Sequence, residues 1–417
     1  MKHYVLQIAI LIFILTSCNP EKHLYKSALK TNTIDGYENY LASYENSQYE
    51  SEVTQKIENL KFCILRDSVF LQFITIKEDS SNLQDLITIN PSNKVLAGTN
   101  INLELNKLPK DSRITLHAYR RYWYGLCYSF ACFKTDKEGK ILLNKNEPIT
   151  ATYTGIDSLG IFWSMTKPTY KNEELPFNIN NLDWNTVYFQ LESEGKIISK
   201  KDLQLVKTKP GIECEVIKQQ DLVANFYYPE NKQNIPLIIL LGGSEGGIGA
   251  NEYAKIISLH GYAVMALGYF GMENLPKGLI KVPLEYFYNA IDWAKEKQFI
   301  DTNKIVIAGG SIGGEAALLV ASMRKDIKGV VAAEPSNVMW QGISNGLSGL
   351  FFRKSSWTLN GKELPYLKHN TFSVVKQYAS GKTQIEFLKM HEAIFTEDYS
   401  EIEPAIIKVE KINGPVL

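Results

Sequence analysis

Ser311 stands at the centre of Gly309-Gly310-Ser311-Ile312-Gly313-Gly314, between the buried-strand run Ile305 to Ala308 and the apolar, alanine-rich stretch Glu315 to Met323. A strand that turns sharply into a helix lifts the residue at its apex clear of its neighbours. Flanking glycines let the two backbones pass closely, and the helix N-terminus aims unpaired N–H groups at charge developing beside the apex. That environment suits a serine nucleophile. The G-x-S-x-G pattern alone also fits a purely structural turn; the strand-to-helix context is what favours chemistry.

Acyl transfer through a serine needs an oxyanion hole, usually the N–H after the nucleophile, here Ile312, with a second N–H from a loop after an earlier strand. Pro236 to Leu241 reads as such a strand, and Gly242-Gly243-Ser244-Glu245-Gly246-Gly247 follows it directly. Gly243, Ser244 and Glu245 are equal candidates for the second donor. Nucleotide binding fits poorly, because neither run has the G-x-x-x-x-G-K-[ST] spacing or a G-x-G-x-x-G with an acidic residue about 20 positions on. Glu245 and Glu315 flank the glycines at short range, which suits loop and helix-start roles better than that of general base. A first-turn acid such as Glu315 is accounted for by the helix dipole.

The elements that would position these groups alternate strand and helix from about Asp202. Glu213 to Ile217, Leu222 to Tyr227, the 237–241 strand, Ala263 to Leu267, Ile305 to Ala308 and Ile327 to Ala333 read as strands. Tyr253 to His260, Leu284 to Gln298 and Glu315 to Met323 read as helices. Such alternation builds a mostly parallel sheet with helices on both faces, which binds ligands outside the carboxyl ends of its strands. Both glycine loops fall at that edge. Pro335 to Trp357, with Asn337, Trp340, Gln341 and Phe351-Phe352, would overhang it and either line an acyl site or pack as an excursion.

From about Ile87 to Lys201 the texture is short alternating strands (Asn100 to Leu105, Arg113 to Tyr119, Tyr128 to Thr135, Thr186 to Leu191), with turns at 109–111 and 136–139. Several strands without long helices argue for a β-sandwich, with Trp123, Phe130, Phe133, Trp163 and Trp184 assigned to its core. Ile34 to Leu60 carries apolar residues at helical spacing, broken at Asn46-Ser47, which predicts two helices within an appendage over 34–80.

The chain has 417 residues, 45% of them hydrophobic, enough for two or three domains. Lys plus Arg and Asp plus Glu both number 45, so charge gives no argument for nucleic acid as a partner. Lys2 and His3 precede the apolar run Tyr4 to Leu15, which has signal-peptide proportions. Leu15-Thr16-Ser17-Cys18 resembles the bacterial lipoprotein box. It implies a signal peptide over 1–17, lipidation of Cys18, a tether over 18–33 and anchoring to a membrane of the cell envelope. Cys63, Cys127, Cys132 and Cys214 form no C-x-x-C pair and the six histidines are scattered, so neither metal nor cofactor is expected. Cys127 and Cys132 are expected as free thiols.

The motifs LGGSEGG, HGYAVMALGYFG (260–271), NLPKGL, LEYFYNAIDW (284–293) and AGGSIGGEAALLVAS, in that order, closely resemble the catalytic domain of the acyl-CoA thioester hydrolase and bile acid-CoA:amino acid N-acyltransferase family. YTGIDSLGIFWSM (153–165) looks like the signature of that family's immunoglobulin-like N-terminal sandwich. The resemblance covers roughly Asp85 to Leu417. It implies an immunoglobulin-like domain at 85–201, an α/β-hydrolase domain at 202–417, and an acyl thioester or ester as substrate. Serine at the elbow, where the conjugating enzymes carry cysteine, favours hydrolysis over transfer to an amine. Acyl-CoA is the family's substrate, yet CoA is cytoplasmic and this chain is expected to be exported, so another thioester, an ester or an amide is an alternative. In the family the order is Ser, Asp, His. Lys411 to Leu417 resembles the start of the strand before the aspartate, which places the acid and base beyond Leu417 and the domain's C-terminal part outside the chain. As substitutes, His369 and His391 are expected on the surface or in a lid-like segment, and Glu386, Glu392, Glu397 and Asp398 precede the same strand. A non-catalytic envelope protein whose sandwich and helices bind a partner is the reading from a different class.

Overall fold

The computed structural model describes residues 20–44, 46–76, 83–171, 174–219, 221–343, 353–380, 390–395 and 399–417. The chain divides into two units, Met1–Val95 with Thr99–Val206 and Leu96–Gly98 with Lys207–Leu417. The signal run 1–17, Cys18, Phe351-Phe352, Glu386, Glu397 and Asp398 lie outside the described residues.

The first unit begins with three helices, α1 (Pro20–Thr31), α2 (Ile34–Ser43) and α3 (Glu50–Thr75). The tether expected over 18–33 is therefore corrected from residue 20 onward. The periodicity of α1 puts Tyr25 and Ala28 on one face, where they are buried with Tyr37, Tyr40, Val53 and Ile57, and the Tyr25 ring stacks 3.9 Å from that of Tyr49. Thr33 caps α2 by accepting the Gly36 N–H at 3.1 Å. The break expected at Asn46-Ser47 separates α2 from α3, and Phe70, Phe73 and Ile74 near the end of α3 pack on Tyr119, Tyr128 and Phe130 of the sandwich.

Two antiparallel sheets follow. One has the order β1-β3-β6 (Ile87–Asn90, Asn102–Leu105, Ile141–Leu142). The other runs β2-β9-β8-β4-β5-β7 (Lys94–Leu96, Lys196–Val206, Thr186–Ser193, Arg113–Tyr122, Gly125–Lys134, Thr150–Ala151). Ile87, Leu103 and Leu105 from the first share a core with Leu116, Phe133 and Leu191 from the second, which makes the pair a β-sandwich. Phe130 and Phe133 are buried as expected, but Trp123, Trp163 and Trp184 are 85%, 62% and 44% exposed. Trp123 sits in the β4–β5 hairpin turn, and Trp184 lies under the Arg121 guanidinium, 4.2 Å from its ring centre. Aromatic density did not distinguish turns from inward strand positions. Cys127 is buried and free, and its thiol is pushed up by burial.

The second unit is built on the sheet β10-β11-β13-β12-β15-β16, with β10 (Ile212–Gln219), β11 (Leu222–Pro229), β12 (Ile235–Leu241), β13 (Ala263–Gly268), β15 (Ile300–Gly310) and β16 (Ile327–Ala333). The hairpin β10–β11 and the β11–β13 pair are antiparallel; β13, β12, β15 and β16 are parallel. At the far edge Pro415–Leu417 joins β16 in parallel, with the Leu417 N–H donating to Val330 O at 3.0 Å and the Ala332 N–H to Leu417 O at 2.8 Å. The sequence alternation along β12 sends Leu237, Ile239 and Leu241 to one face, and Ile238 and Leu240 to the other. The first face is covered by α6 (Leu284–Lys295) and α7 (Ile312–Met323), the second by α5 (Asn251–Ser258). The remaining short elements, β14 (Val282–Pro283), β17 (Trp357–Leu359) and β18 (Lys362–Glu363), form a small separate sheet.

Candidate active site

Strands β12 and β15 are parallel neighbours, with Leu241 paired to Gly309, so the chain leaves both at the same sheet edge and the two glycine loops meet there. Ser311 lies between β15 and α7 at φ +52°, ψ −122°, and is exposed. For a residue with a Cβ this is a strained, sparsely populated conformation. It is held by the Ser311 N–H on Ala333 O at 2.8 Å and by the Ser311 carbonyl, which accepts the Glu315 N–H at 3.1 Å.

The glycines are required by contact. A Cβ on Gly309 would collide with the Gly313 carbonyl oxygen, and one on Gly313 with that of Gly242, so strand, helix and second loop interlock only without side chains. A Cβ on Gly243 would stand 3.6 Å from the Cβ of Ser311, which puts the 242–245 backbone directly beside the serine. Ile312 is the first residue of α7, and its N–H is one of the helix's four without an intrahelical acceptor.

The three candidate second donors are not equivalent in the structure. Glu245 turns back over its own loop, and its Oε1 accepts the Gly243 N–H at 3.0 Å. A Cβ on Gly249 would overlap that same oxygen. With the Gly243 N–H engaged, the N–H groups of Ser244 and Glu245 are left of the three candidates. Tyr269 fixes the loop from below: its hydroxyl donates to Gly242 O at 2.7 Å and lies 3.3 Å from Gly243 O. Burial, then the carboxyls of Glu245 and Glu315, push the Tyr269 hydroxyl up, so it stays a donor.

Glu315 departs from its expected role. Its side chain is 1% exposed rather than at a solvated helix start, and burial raises its pKa to about 8, against the lowering effect of hydrogen bonds from Trp357 and Trp340. A largely protonated carboxyl gains nothing from a helix dipole. Its Oε1 accepts Trp357 Nε1–H at 2.7 Å and the Trp340 N–H at 3.3 Å, while Oε2 is buried without a partner. Four positions past the serine, this residue gave no signal of burial in the sequence, because a glutamate in a first helical turn is ordinarily solvated.

Among the described residues of the 335–357 segment, both tryptophans are packed. Trp340 and Gln341 are buried and Trp357 is fully enclosed, while Asn337 is exposed. His369 is buried, which rules out the first of the two positions expected for it, the surface or a lid-like segment: its ring stacks 5.3 Å from Trp340, and His391 meets the same indole edge-on at 4.4 Å. Burial, then His391, lower the His369 pKa to about 4, so it is neutral at pH 7. Glu392 begins a short 3-10 turn, Glu392–Phe395.

The antiparallel hairpin followed by parallel strands, with a strained serine between β15 and the helix after it, defines a domain of the α/β-hydrolase fold. Family models sharpen this. The Acyl-CoA thioester hydrolase/BAAT N-terminal region matches residues 98–219, and the BAAT / Acyl-CoA thioester hydrolase C terminal matches residues 282–417. The chain belongs to the acyl-CoA thioester hydrolase/BAAT family. Among curated relatives, rat acyl-coenzyme A thioesterase 1 is 25% identical over 275 residues, 63% of each chain. Mouse acyl-coenzyme A thioesterase 6 is 24% identical over 249 residues, 58% of each chain. Mouse acyl-coenzyme A amino acid N-acyltransferase 1 is 27% identical over 246 residues, 57% of this chain and 58% of the relative. The chain thus spans about three fifths of the length of the curated relatives it matches. Among solved structures, a Pyrobaculum calidifontis esterase is 22% identical with a TM-score of 0.27, covering 31% of this chain and 47% of that one. A likeness so partial adds nothing to the strand order.

Proposed function

We propose that the protein is an acyl thioester or ester hydrolase that works through a Ser311 acyl-enzyme. The observation that carries this reading is the strained backbone of Ser311 at the junction of β15 and α7, with the 242–245 loop beside it. In this reading Ser311 Oγ attacks the acyl carbonyl, forming the C–O bond as its proton passes to a base. The carbonyl oxygen becomes an oxyanion held by the N–H of Ile312 and that of Ser244 or Glu245, and collapse expels the thiol or alcohol. Water then repeats the sequence on the ester and frees the acid. The base that takes the proton is none of His369, His391 or Glu392 in this reading, since His369 is buried against Trp340 and His391 meets the same ring. Acyl-CoA is the first substrate to test, since two of the relatives above are named acyl-coenzyme A thioesterases. The N-acyltransferase relative supports a second reading, amide transfer, which the serine disfavours because water hydrolyses an oxyester readily. In the same reading the sandwich is immunoglobulin-like and the protein is anchored to the envelope through lipid on Cys18.

The test is reaction with a fluorophosphonate probe and turnover of a panel of thioesters and p-nitrophenyl esters. Labelling is expected to be confined to Ser311, and Ser311→Ala is expected to remove it and to lower turnover of the panel by roughly 10³-fold or more. Absence of both labelling and turnover would overturn the reading in favour of a binding protein. For the anchor, Cys18→Ser is expected to abolish incorporation of labelled palmitate; undiminished incorporation would refute it.

A further inference from the structure

Glu315 joins the two halves of the site through a continuous set of contacts. Its Oε1 holds Trp357 Nε1–H at 2.7 Å. The Trp357 indole is fully buried and packs against the rings of Tyr269 and Phe287 at 6.1 and 5.9 Å. Tyr269 in turn holds the Gly242 carbonyl at 2.7 Å. One end of this chain is the first turn of α7, which carries the Ile312 N–H. The other is the loop that carries Ser244 and Glu245. The second bond to Oε1, from the Trp340 N–H, ties the segment after β16 to the same oxygen.

The geometry points to Glu315 as a positioning residue that sets the spacing between the nucleophile helix and the 242–249 loop, acting through Trp357 and Tyr269. The inference rests on the reading of this site as a serine acyl-transfer centre, where an oxyanion must meet both N–H groups at about 2.7–3.1 Å. A neutral acid suits the task. One oxygen accepts two N–H groups, the other carries the proton, and no counter-cation is needed in a closed core. Among the described residues no cation pairs with Glu315. The titratable groups around this network are Tyr269 just after β13, which remains protonated, Glu245 on the loop, and, beyond Trp340, His369 with His391. Ionising Glu315 would put an unpaired carboxylate at the centre of the network and strain the contacts that reach the loop.

Hydrogen exchange of the full chain, read by mass spectrometry, tests the connection at a place Glu315 does not touch. Glu315→Ala is expected to speed exchange of peptides covering 242–249 about tenfold, with Glu315→Gln recovering most of the protection. Tyr269→Phe cuts the same connection from the other end and is expected to loosen the same peptides, which keeps the test decisive if the alanine variant folds poorly. As pH rises through about 8, the same peptides are expected to lose protection in the unmodified protein relative to Glu315→Gln at each pH. The Ser311 labelling rate should fall in step with loop exchange. Loosening confined to 312–323 and 355–359, with 242–249 unchanged in Glu315→Ala and Tyr269→Phe, would overturn the inference. A protein whose Ser311 never reacts would instead overturn the acyl-transfer reading, while the exchange data would still decide whether helix and loop are connected.

Discussion

The two glycine loops leave neighbouring parallel strands at the same edge, yet they are held in different ways. The 309–314 loop is set by its own sequence: strand, three tight steps and helix, with Ser311 locked between the Ala333 carbonyl and the first turn of α7. The 242–249 loop reaches a helix only at Asn251 and is held by side chains, Glu245 from outside and Tyr269 from the core. Each loop also has a glutamate near it. Glu245 is exposed and bonds within its own loop, whereas Glu315 is buried and bonds away from it. The geometry of Ser311 is therefore set by backbone contacts, whereas that of the 242–249 loop depends on two side chains, Glu245 within the loop and Tyr269 from the core. Changes in the core should disturb the second loop before the first.

The largest expected effect sharpens the contrast between the two glutamates. The Glu315 pKa is raised to about 8 from 4.5, so between those values the folded chain keeps a proton that the unfolded chain has lost. The stability contributed by this group is complete below about pH 4.5 and falls as pH rises to about 8, by an amount on the order of a few kcal/mol. Urea midpoints at pH 5 and pH 9 should show Glu315→Gln gaining on the unmodified protein at the higher pH.

Next in size is the interlock between the loops. Gly313→Ala drives a Cβ into the Gly242 carbonyl, at an expected cost of about 1–3 kcal/mol by overpacking, and Ser311 labelling should become undetectable. Near-normal melting and labelling would mean that the loops do not touch as described.

A smaller effect isolates the outer glutamate. Gly249→Ala places a methyl group where the Glu245 carboxylate lies. Loss of that carboxylate's bond to Gly243 is worth about 1 kcal/mol. Glu245→Ala should reproduce the shift, and the double variant should add little to either. Simple additivity in a thermal-melt cycle would show that the two residues are not in contact.

The smallest effect concerns the first loop alone. Ser311→Gly relieves a non-glycine residue at φ +52° and is expected to stabilise the fold by up to about 1 kcal/mol, after offsetting the added freedom of the unfolded chain. Ser311→Ala should give no such gain. Equal stability of the two variants would show that the elbow carries no strain.

The sequence by itself determined what depends on neighbours along the chain. The elbow, the alternation of strands and helices after about Asp202, and the β-strand texture before it are written in local hydrophobic period and in glycine placement. These appear as β15–α7, as the six-stranded sheet and as the sandwich. The strand start at Lys411 to Leu417 came from the family resemblance instead, and Pro415–Leu417 pairs with β16. Tertiary structure decided the rest. That α1 is a helix with buried Tyr25 depended on the face offered by Tyr40 and Tyr49, and the exposure of Trp123, Trp163 and Trp184 on turns and edges that composition does not mark. The same holds for which N–H in the 242–245 loop is engaged, and for whether a glutamate one turn past the serine is solvated or enclosed by Trp340 and Trp357. Those outcomes depend on groups brought together from distant positions. Burial, which turns an ordinary first-turn carboxylate into a neutral acid, is a property of the packed core and not of any stretch of chain.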